Sequence, residues 1–436
     1  MLHEKKKLAG ILDDPRSWPK GLEDGPRRLT FYKKAGFSYQ QTLPLCEPDD
    51  KRCPYNSGTE NLMDWRMASA RWLVKYGLLT EEEVDSGNSL INLLGLAYER
   101  RKIVSKEIED FCNNATKGMR EDIEFLIEAH NHGAEYLWFS QWVVQTQWME
   151  YKELANSMGV KIIGDIPFYV ASQGSTVYHH AEMFCKSRVS GCPPNQRWGH
   201  CVYNFWNPQT IDWWVERVKS VRRWYDVLRI DHARALSEFY AITHDGSHGE
   251  WRPGPKTMLT DRLKNETGFE LFVNETLAEF VFEDTKRFFQ ECDIPTMEVA
   301  LYTYKRPYTY GHNSIAYTTT HDEHTVVGFC RKELARGHYS EAYGYLQDLR
   351  GFRKIENEYE YATAIIEDVT YSPAAIAMMT MSCVEMAGDE KRINIPGTVN
   401  DTNWKNVQTE AEFEYCESRA EYIHDLLSKT ARLPAE

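Results

Sequence analysis

The chain has 436 residues, 27% of them charged, and a formal net charge of −14. That length suits one large barrel with insertions, or two or three ordinary domains, and is ample for a sizeable core. The acidic balance argues against nucleic acid or an anionic membrane as the main partner, and no apolar run approaches the roughly 20 residues of a membrane-spanning helix.

The 10 cysteines are scattered from Cys46 to Cys416 with no Cys-x-x-Cys pair. They read as reduced, mostly buried thiols, which predicts a cytoplasmic protein. The first residues offer only Leu8 to Leu12 as an apolar run, too short for a secretory signal. Aromatic residues make up 13% of the chain. Sugar-binding clefts use such rings, but composition alone favours ordinary packing.

Leu8 to Leu12 reads as a first strand. Leu29 to Ala35 reads as a helix that stops at Gly36. Phe37 to Leu45 reads as a second strand, and 46–61 as a long turn-rich functional loop. Residues 62–158 are mainly helical in pattern and form a predicted insertion between the second and third strands. Its clearest part is 120–158, where Phe125, Ala129, Trp142 and Trp148 recur near a 3.6 period. The stripe Gln141, Trp142, Gln147 and Trp148 reads as helix-packing core. The third strand runs from Val160 into a loop broken by Pro167. Residues 171–208 lack periodicity and hold several glycines and prolines, which predicts a loop insertion over the mouth. After a helix at 213–224 comes a strand ending at Asp231. Residues 241–256 read as loop. A helix at 256–265, a strand to Glu275, a helix at 282–292, a strand at 296–302 and a strand to Asp322 follow. A long helical stretch, 338–366, leads to an eighth strand near 374–381. Eight apolar strands alternating with helices predict an α/β chain with a parallel sheet, closed as a (β/α)8 barrel.

Three of these strands end in charge. They are Val227-Leu228-Arg229-Ile230-Asp231-His232, Phe272-Val273-Asn274-Glu275, and Ser314-Ile315-Ala316-Tyr317 running on to His321-Asp322. Charges that close an apolar strand are costly unless they sit in a wet or functional mouth. Parallel barrels present their chemistry at the carboxyl ends of their strands. Three carboxylates so placed suit glycoside chemistry, which needs one as nucleophile or base and another as acid. Asp231 beside Arg229 is expected to stay ionised, as a nucleophile must. Glu275 has no adjacent cation in sequence, which suits a general acid. Each carboxylate alone reads equally as a salt bridge, a cap or a solvated loop group. Their common placement is what singles them out.

A metal site is the rival reading. His321-Asp322-Glu323-His324 with Asp231-His232 offers imidazole and carboxylate ligands, but the pattern is not His-Glu-x-x-His. His179, His180 and Cys185 form a second, looser cluster. There is no Gly-x-x-x-x-Gly-Lys, Gly-x-Gly-x-x-Gly or Gly-x-Ser-x-Gly, which lowers nucleotide, dinucleotide and serine-hydrolase readings.

Gly164 to Val170, Leu228 to His232, Tyr317 to Asp322 and Asn394-Ile395-Pro396-Gly397-Thr398 together resemble the successive motifs of 4-α-glucanotransferases. These are the amylomaltases, or disproportionating enzymes, of glycoside hydrolase family 77. Leu8 to Leu12, Gln41 to Leu45, Pro54-Tyr55, Arg197-Trp198-Gly199 and Asn403-Trp404 fall in the same order, so the resemblance spans nearly the whole chain. It implies a single (β/α)8 catalytic domain with insertions over its carboxyl face and no separate C-terminal β domain. It implies retaining transfer of α-1,4-glucan segments between maltooligosaccharides, without metal or organic cofactor. Carried over by motif, Asp231 is the nucleophile, Glu275 the general acid/base and Asp322 the stabiliser that binds sugar hydroxyls. Arg229 orients Asp231, and His321 binds sugar next to the bond that breaks. Tyr55, Asp165, Trp198 and Asn394 are implied substrate or supporting residues.

The chain departs from the family pattern between Pro194 and Trp198, where an aromatic lid is cut short, and in a shortened helical insertion. It also departs after Glu275, where Thr276 replaces the usual acid, and after Asp322, where Glu323 and His324 stand. Two alternatives follow from these changes: an α-glucan hydrolase, favoured by the short lid, and a degenerate barrel that binds glucan without turning it over. The sequence leaves the oligomeric state open.

Overall fold

The computed structural model describes residues 6–434 apart from 195, 270–271, 275–282, 304–306, 338–340 and 350–353, with backbone alone at 272–274, 286, 302–303 and 341–342. Twelve strands are present among these residues. They are β1 (Leu8–Leu12), β2 (Tyr39–Gln41), β3 (Lys161–Ile166), β4 (Phe184–Cys192), β5 (Gln196–Tyr203), β6 (Val227–Ile230), β7 (Glu238–Thr243), β8 (Gly249–Pro253), β9 (Phe272–Asn274), β10 (Thr296–Val299), β11 (Ser314–Tyr317) and β12 (Ile376–Thr380). Eight of them close a parallel barrel in the order β1-β2-β3-β6-β9-β10-β11-β12, and β12 pairs back onto β1. The fold is a (β/α)8 barrel.

Strand parity decides what faces the inside. Ile163, Val227, Ile315, Ile376 and Met378 pack together within the ring. Their neighbours Ile162, Leu228, Ala316 and Ala377 pack outward against the helices. Successive side chains alternate across a strand, so Asp165 shares the inner face with Ile163. Arg229 and Asp231 likewise continue the inner row that Val227 begins. Asp165, Arg229 and Asp231 therefore bring charge into the last inward layer, at the carboxyl end of the barrel. Gly164, on the outward row, is set by close approach: a Cβ there would lie 2.1 Å from the Tyr225 ring.

Several elements differ from the sequence reading. The first helix begins at Gly25, with Pro26 in its first turn, and ends as expected at Gly36 in the left-handed conformation, φ 90°. The second strand shortens to β2, although Thr42 N–H still donates to the Ile163 carbonyl. The stretch 120–158 is two helices, Lys117–His130 and Ala134–Ser157, separated where Asn131 turns left-handed at φ 54°. The strand expected at 296–302 ends at Val299 and passes into the helix Ala300–Thr303. The helical stretch at 338–366 is likewise interrupted, as Glu341–Leu349 and Glu358–Tyr371. Val326–Arg336, Glu410–Ser418 and Ala420–Lys429 are helices the periodicity did not single out.

The largest difference is at 171–208 and 241–256, both expected as loop. The first holds the helix Ser175–His179 and the hairpin β4–β5, and the second contains the end of β7 and all of β8. These four strands form one antiparallel sheet in the order β5-β4-β7-β8. Lys186, Ser187, Arg188 and Ser190 in β4 hide any apolar alternation. Asp245-Gly246 at the β7–β8 turn, with Gly246 at φ 73°, is the hairpin signal the sequence did carry.

Candidate active site

The nucleophile side is built on two neighbouring strands. Asp165 on β3 and Arg229 on β6 are register partners. Arg229 Nη1 donates to Asp165 Oδ2 at 2.5 Å, and both side chains are almost wholly buried. Nη2 of the same guanidinium donates to Asp231 Oδ1 at 2.9 Å. A planar fork of this kind fixes orientation as well as charge. Arg229 thus holds the carboxylate of Asp231 in place and is itself held by Asp165. The Asp231 side chain keeps 26% of its surface, so it stays within reach of a ligand in the mouth.

Burial pushes the Asp231 carboxyl up to about 6, against the pull of the Arg229 cation, with the Asp165 and Asp322 charges adding to the rise and His321 opposing it. Arg229 favours the ionised form, as the sequence reading expected, but it does not set the value by itself. Arg229 is shared with Asp165, and removal from water is the larger effect. Asp231 is still mostly ionised at neutral pH.

The opposite side is built from loops. Tyr55, in the short 3-10 turn Pro54–Asn56, donates its hydroxyl to Asp165 Oδ2 at 2.7 Å. Burial, then the Asp165 charge, raise its phenol well above the usual value, so it remains a donor. The chain beyond it is clamped by Gln141 and Gln147, whose side-chain amides bond the backbone of Met63 and Ser69. The glutamine stripe expected as core therefore also anchors the Tyr55 loop. The Tyr55 ring stacks on His321 at 5.0 Å and 10°. Trp404 closes the group, 5.9 Å from Tyr55 and 5.7 Å from His321. Asp322 is met by Asn394, whose Nδ2 donates to Oδ1 at 2.7 Å, and by His321 Nε2 at 3.4 Å. Arg392 holds the backbone of both partners, donating to the Asp322 carbonyl at 2.6 Å and the Asn394 carbonyl at 2.8 Å.

A third set of rings lies beside Asp231. Trp198 on β5 meets His232 edge to face at 4.8 Å, and Tyr169 lies 5.7 Å from His232 and stacks near His200 at 6.2 Å. Burial lowers His232 to about 3 and also lowers His200, so both are neutral rings at physiological pH.

The structure brings together Asp231, Arg229, Asp165, Tyr55, His321, Asp322 and Asn394, and sets Trp198 beside Asp231 through His232. Glu275 lies outside the described residues; Asn274 before it pairs with Ile230. Sequence reasoning assigned no role to Arg392, Trp404, Tyr169 or His200. Trp404 and Tyr169 were marked only as members of the motifs Asn403-Trp404 and Gly164 to Val170, and packing among distant rings leaves no periodic signal. Among the described residues, no three His, Cys, Asp or Glu side chains converge to hold a metal ion. His179 bonds the Glu121 carbonyl, and His180 pairs with the Glu121 carboxylate. His324 bonds Asp389.

The sequence pattern of a family described as 4-alpha-glucanotransferase matches residues 119–409. The chain is 27% identical to the 4-alpha-glucanotransferase of Clostridium butyricum, over 86% of this chain and 89% of that one. It is 28% identical to the Streptococcus pneumoniae 4-alpha-glucanotransferase, over 93% and 94%. It is 26% identical to the chloroplastic/amyloplastic enzyme of Arabidopsis thaliana, over 99% and 86%. Among solved structures, the amylomaltase of Streptococcus agalactiae in complex with acarbose superposes with a TM-score of 0.85 at 20% identity, covering 98% of this chain and all of that one. The amylomaltase of Corynebacterium glutamicum gives 0.80 at 14%, covering 98% and 75%.

Proposed function

The chain belongs to the 4-alpha-glucanotransferase family and is an enzyme that transfers α-1,4-glucan segments, and from that premise we propose how its residues divide the work. Asp231 is the nucleophile, Glu275 the general acid/base and Asp322 the stabiliser. The observation that carries this reading is the Arg229 guanidinium fixed between Asp165 and Asp231, which aims one carboxylate from the barrel wall into the mouth.

In the first step an Asp231 oxygen attacks the anomeric carbon, while Glu275 gives its proton to the departing glycosidic oxygen. The retaining route needs the two carboxyl groups at about 5 Å. The product is a glucosyl ester on Asp231. In the second step Glu275 takes the proton from the 4-hydroxyl of an acceptor glucan, whose oxygen displaces Asp231. Asp322, braced by Asn394 and His321, accepts hydrogen bonds from hydroxyls of the sugar that carries the developing charge. The stacked rings of Tyr55 and His321 and the Trp198 ring flank that sugar with flat apolar faces, which favours an acceptor glucan over water.

We read the whole chain as one catalytic domain, with 62–158 inserted between the second and third barrel strands and 171–208 carrying the hairpin beside the mouth. No described helix is long and apolar enough to cross a membrane. The ten cysteines are all free thiols, which supports a reducing, cytoplasmic setting. Incubation with maltotriose, followed by chromatography, tests the reaction. Glucose appearing together with maltopentaose and longer chains is the expected result. Glucose and maltose alone would replace transfer by hydrolysis, and unchanged maltotriose with measurable glucan binding would leave only a binder.

A further inference from the structure

The Arg229 guanidinium has a third edge. Its Nη1 and Nη2 serve Asp165 and Asp231, and its Nε donates to the thioether Sδ of Met297 at 3.3 Å. Met297 stands on β10, separated from β6 in the ring by β9. It is buried and packs in the inner cluster with Ile163, Val227 and Ile315. The contact therefore reaches past a whole strand, inside the barrel, to the cation that holds Asp231.

The third bond does what two cannot. A guanidinium held at Nη1 alone can pivot in its own plane and carry Nη2 away from Asp231. An acceptor at Nε, on the third side of that plane, stops the pivot, because the N–H donors form one rigid fork. The kind of acceptor matters as well. Asp165 and Asp231 already set two carboxylates against one cation. A third carboxylate would divide the cation further and repel both of the others. A thioether accepts weakly and brings no charge, so it fixes the plane and leaves the cation to the two acids. Methionine is also unbranched and adaptable, which lets its sulfur meet a donor that is held by other strands.

We propose that Met297 is a positioning residue for glucan transfer: its sulfur accepts the Arg229 Nε–H and so sets the direction in which Arg229 presents the Asp231 carboxylate. The inference rests on the reading of Asp231 as the nucleophile. It puts a neutral, buried side chain into the chain of bonds that ends at the attacking oxygen. Arg229 also pulls Asp231 towards its ionised form. A fork that tilts away from Asp231 therefore weakens that pull along with the aim.

The test uses the full chain and compares two methionines. Met297→Leu keeps most of the side-chain volume and removes the acceptor. Met378→Leu makes the same change elsewhere in the same inner cluster, at a side chain that packs over Gly10, where a Cβ would lie 2.7 Å from Met378 Cε. Both variants should melt close to the parent, because leucine for methionine conserves volume. In Met297→Leu, kcat for maltotriose should fall roughly tenfold while KM stays within about twofold, as when an interaction made in the transition state is lost. Its acid limb in kcat/KM should move up by about half a pH unit, because the cation acts less on Asp231. Neither quantity should move in Met378→Leu. Met297→Gln, whose amide oxygen can take the Nε–H, should recover most of kcat and return the acid limb. Equal kcat and equal acid limbs in the two leucine variants overturn the proposal and leave Asp231 as the nucleophile. A fall in kcat that Met297→Gln does not reverse is an effect of packing and also overturns it. If Met297→Leu does not fold, Met297→Gln decides: a parent-like kcat and acid limb support the proposal, and a displaced acid limb in the folded variant overturns it. Near-normal turnover in Asp231→Asn removes the nucleophile reading, and this inference with it.

Discussion

Asp231 and Asp322 both stand just beyond the ends of barrel strands, but they are held in different ways. Asp231 is gripped by a cation that is itself buried against Asp165, all on adjacent strands. Asp322 is held by a neutral amide and an imidazole, with Asn394 and Arg392 supplied by a loop more than 60 residues further along. Strand neighbours are fixed by the backbone ladder, so a charged pair between them can be placed tightly. A loop partner is placed by its own internal bonds: Asn403 bonds Ile395 and Thr398, and Trp404 N–H bonds the Ile393 carbonyl. The first arrangement ties catalysis to fold stability, while the second leaves catalysis adjustable without endangering the fold.

The sharpest way to break this comparison is Asp231→Asn. It removes the attacking oxygen but leaves the Arg229–Asp165 pair intact. Transfer from maltotriose should fall by at least ~10⁴-fold, while the melting temperature stays close to that of the parent. Near-normal turnover would take Asp231 out of the mechanism.

Next in size is Arg229→Leu. It strands Asp165, whose side chain has no exposure, in the barrel without a countercharge. The expected loss is about 3–5 kcal/mol of stability, read from denaturant unfolding, together with loss of transfer. Asn394→Ala, on the loop side, should cost only about 1 kcal/mol. Its transfer rate should nevertheless fall roughly tenfold or more, because Asp322 loses its directed donor. If Asn394→Ala destabilises the protein as much as Arg229→Leu, the contrast between the two sides is wrong.

The same contrast explains what the sequence revealed. The eight barrel strands were visible as apolar runs, and the candidate catalytic carboxylates were visible because charge ended three of those runs. A part for Asp165 was implied only by family resemblance, because the register that sets it beside Arg229 is written in neither strand's own pattern. In the sheet β5-β4-β7-β8, strands β4, β5 and β8 were hidden because they carry charged or serine residues and are partly exposed, while β7 is an apolar, largely buried run that the sequence reading passed over. Asp245-Gly246 was the missed clue. The helix Glu410–Ser418 carried a start signal in Thr409 and Glu412, which form a capping box, whereas Ala420–Lys429 starts without a side-chain cap. The wall of Tyr55, His321 and Trp404 joins three segments far apart in sequence, and ring contacts at that separation follow no spacing rule.

The smallest expected effect is a shift in pH dependence, and it tests the shared cation directly. Asp231 must be ionised to attack, and burial raises it from the ordinary 3.8 to about 6. Transfer activity, followed as kcat/KM for maltotriose, should therefore fall as pH drops through about 6. The linkage to stability has the opposite sense. The folded state holds this proton more tightly than the unfolded chain, so Asp231 contributes stability that is fully present below about 3.8 and is lost as pH rises through about 6. Asp165→Asn removes a like charge near Asp231 and leaves the Arg229 charge to act on Asp231 alone. Both changes favour the ionised form, so the acid limb of the activity profile should move to lower pH. An acid limb that stays in place in Asp165→Asn would mean that Arg229 is not divided between the two carboxylates, and that burial alone sets the ionisation of the nucleophile.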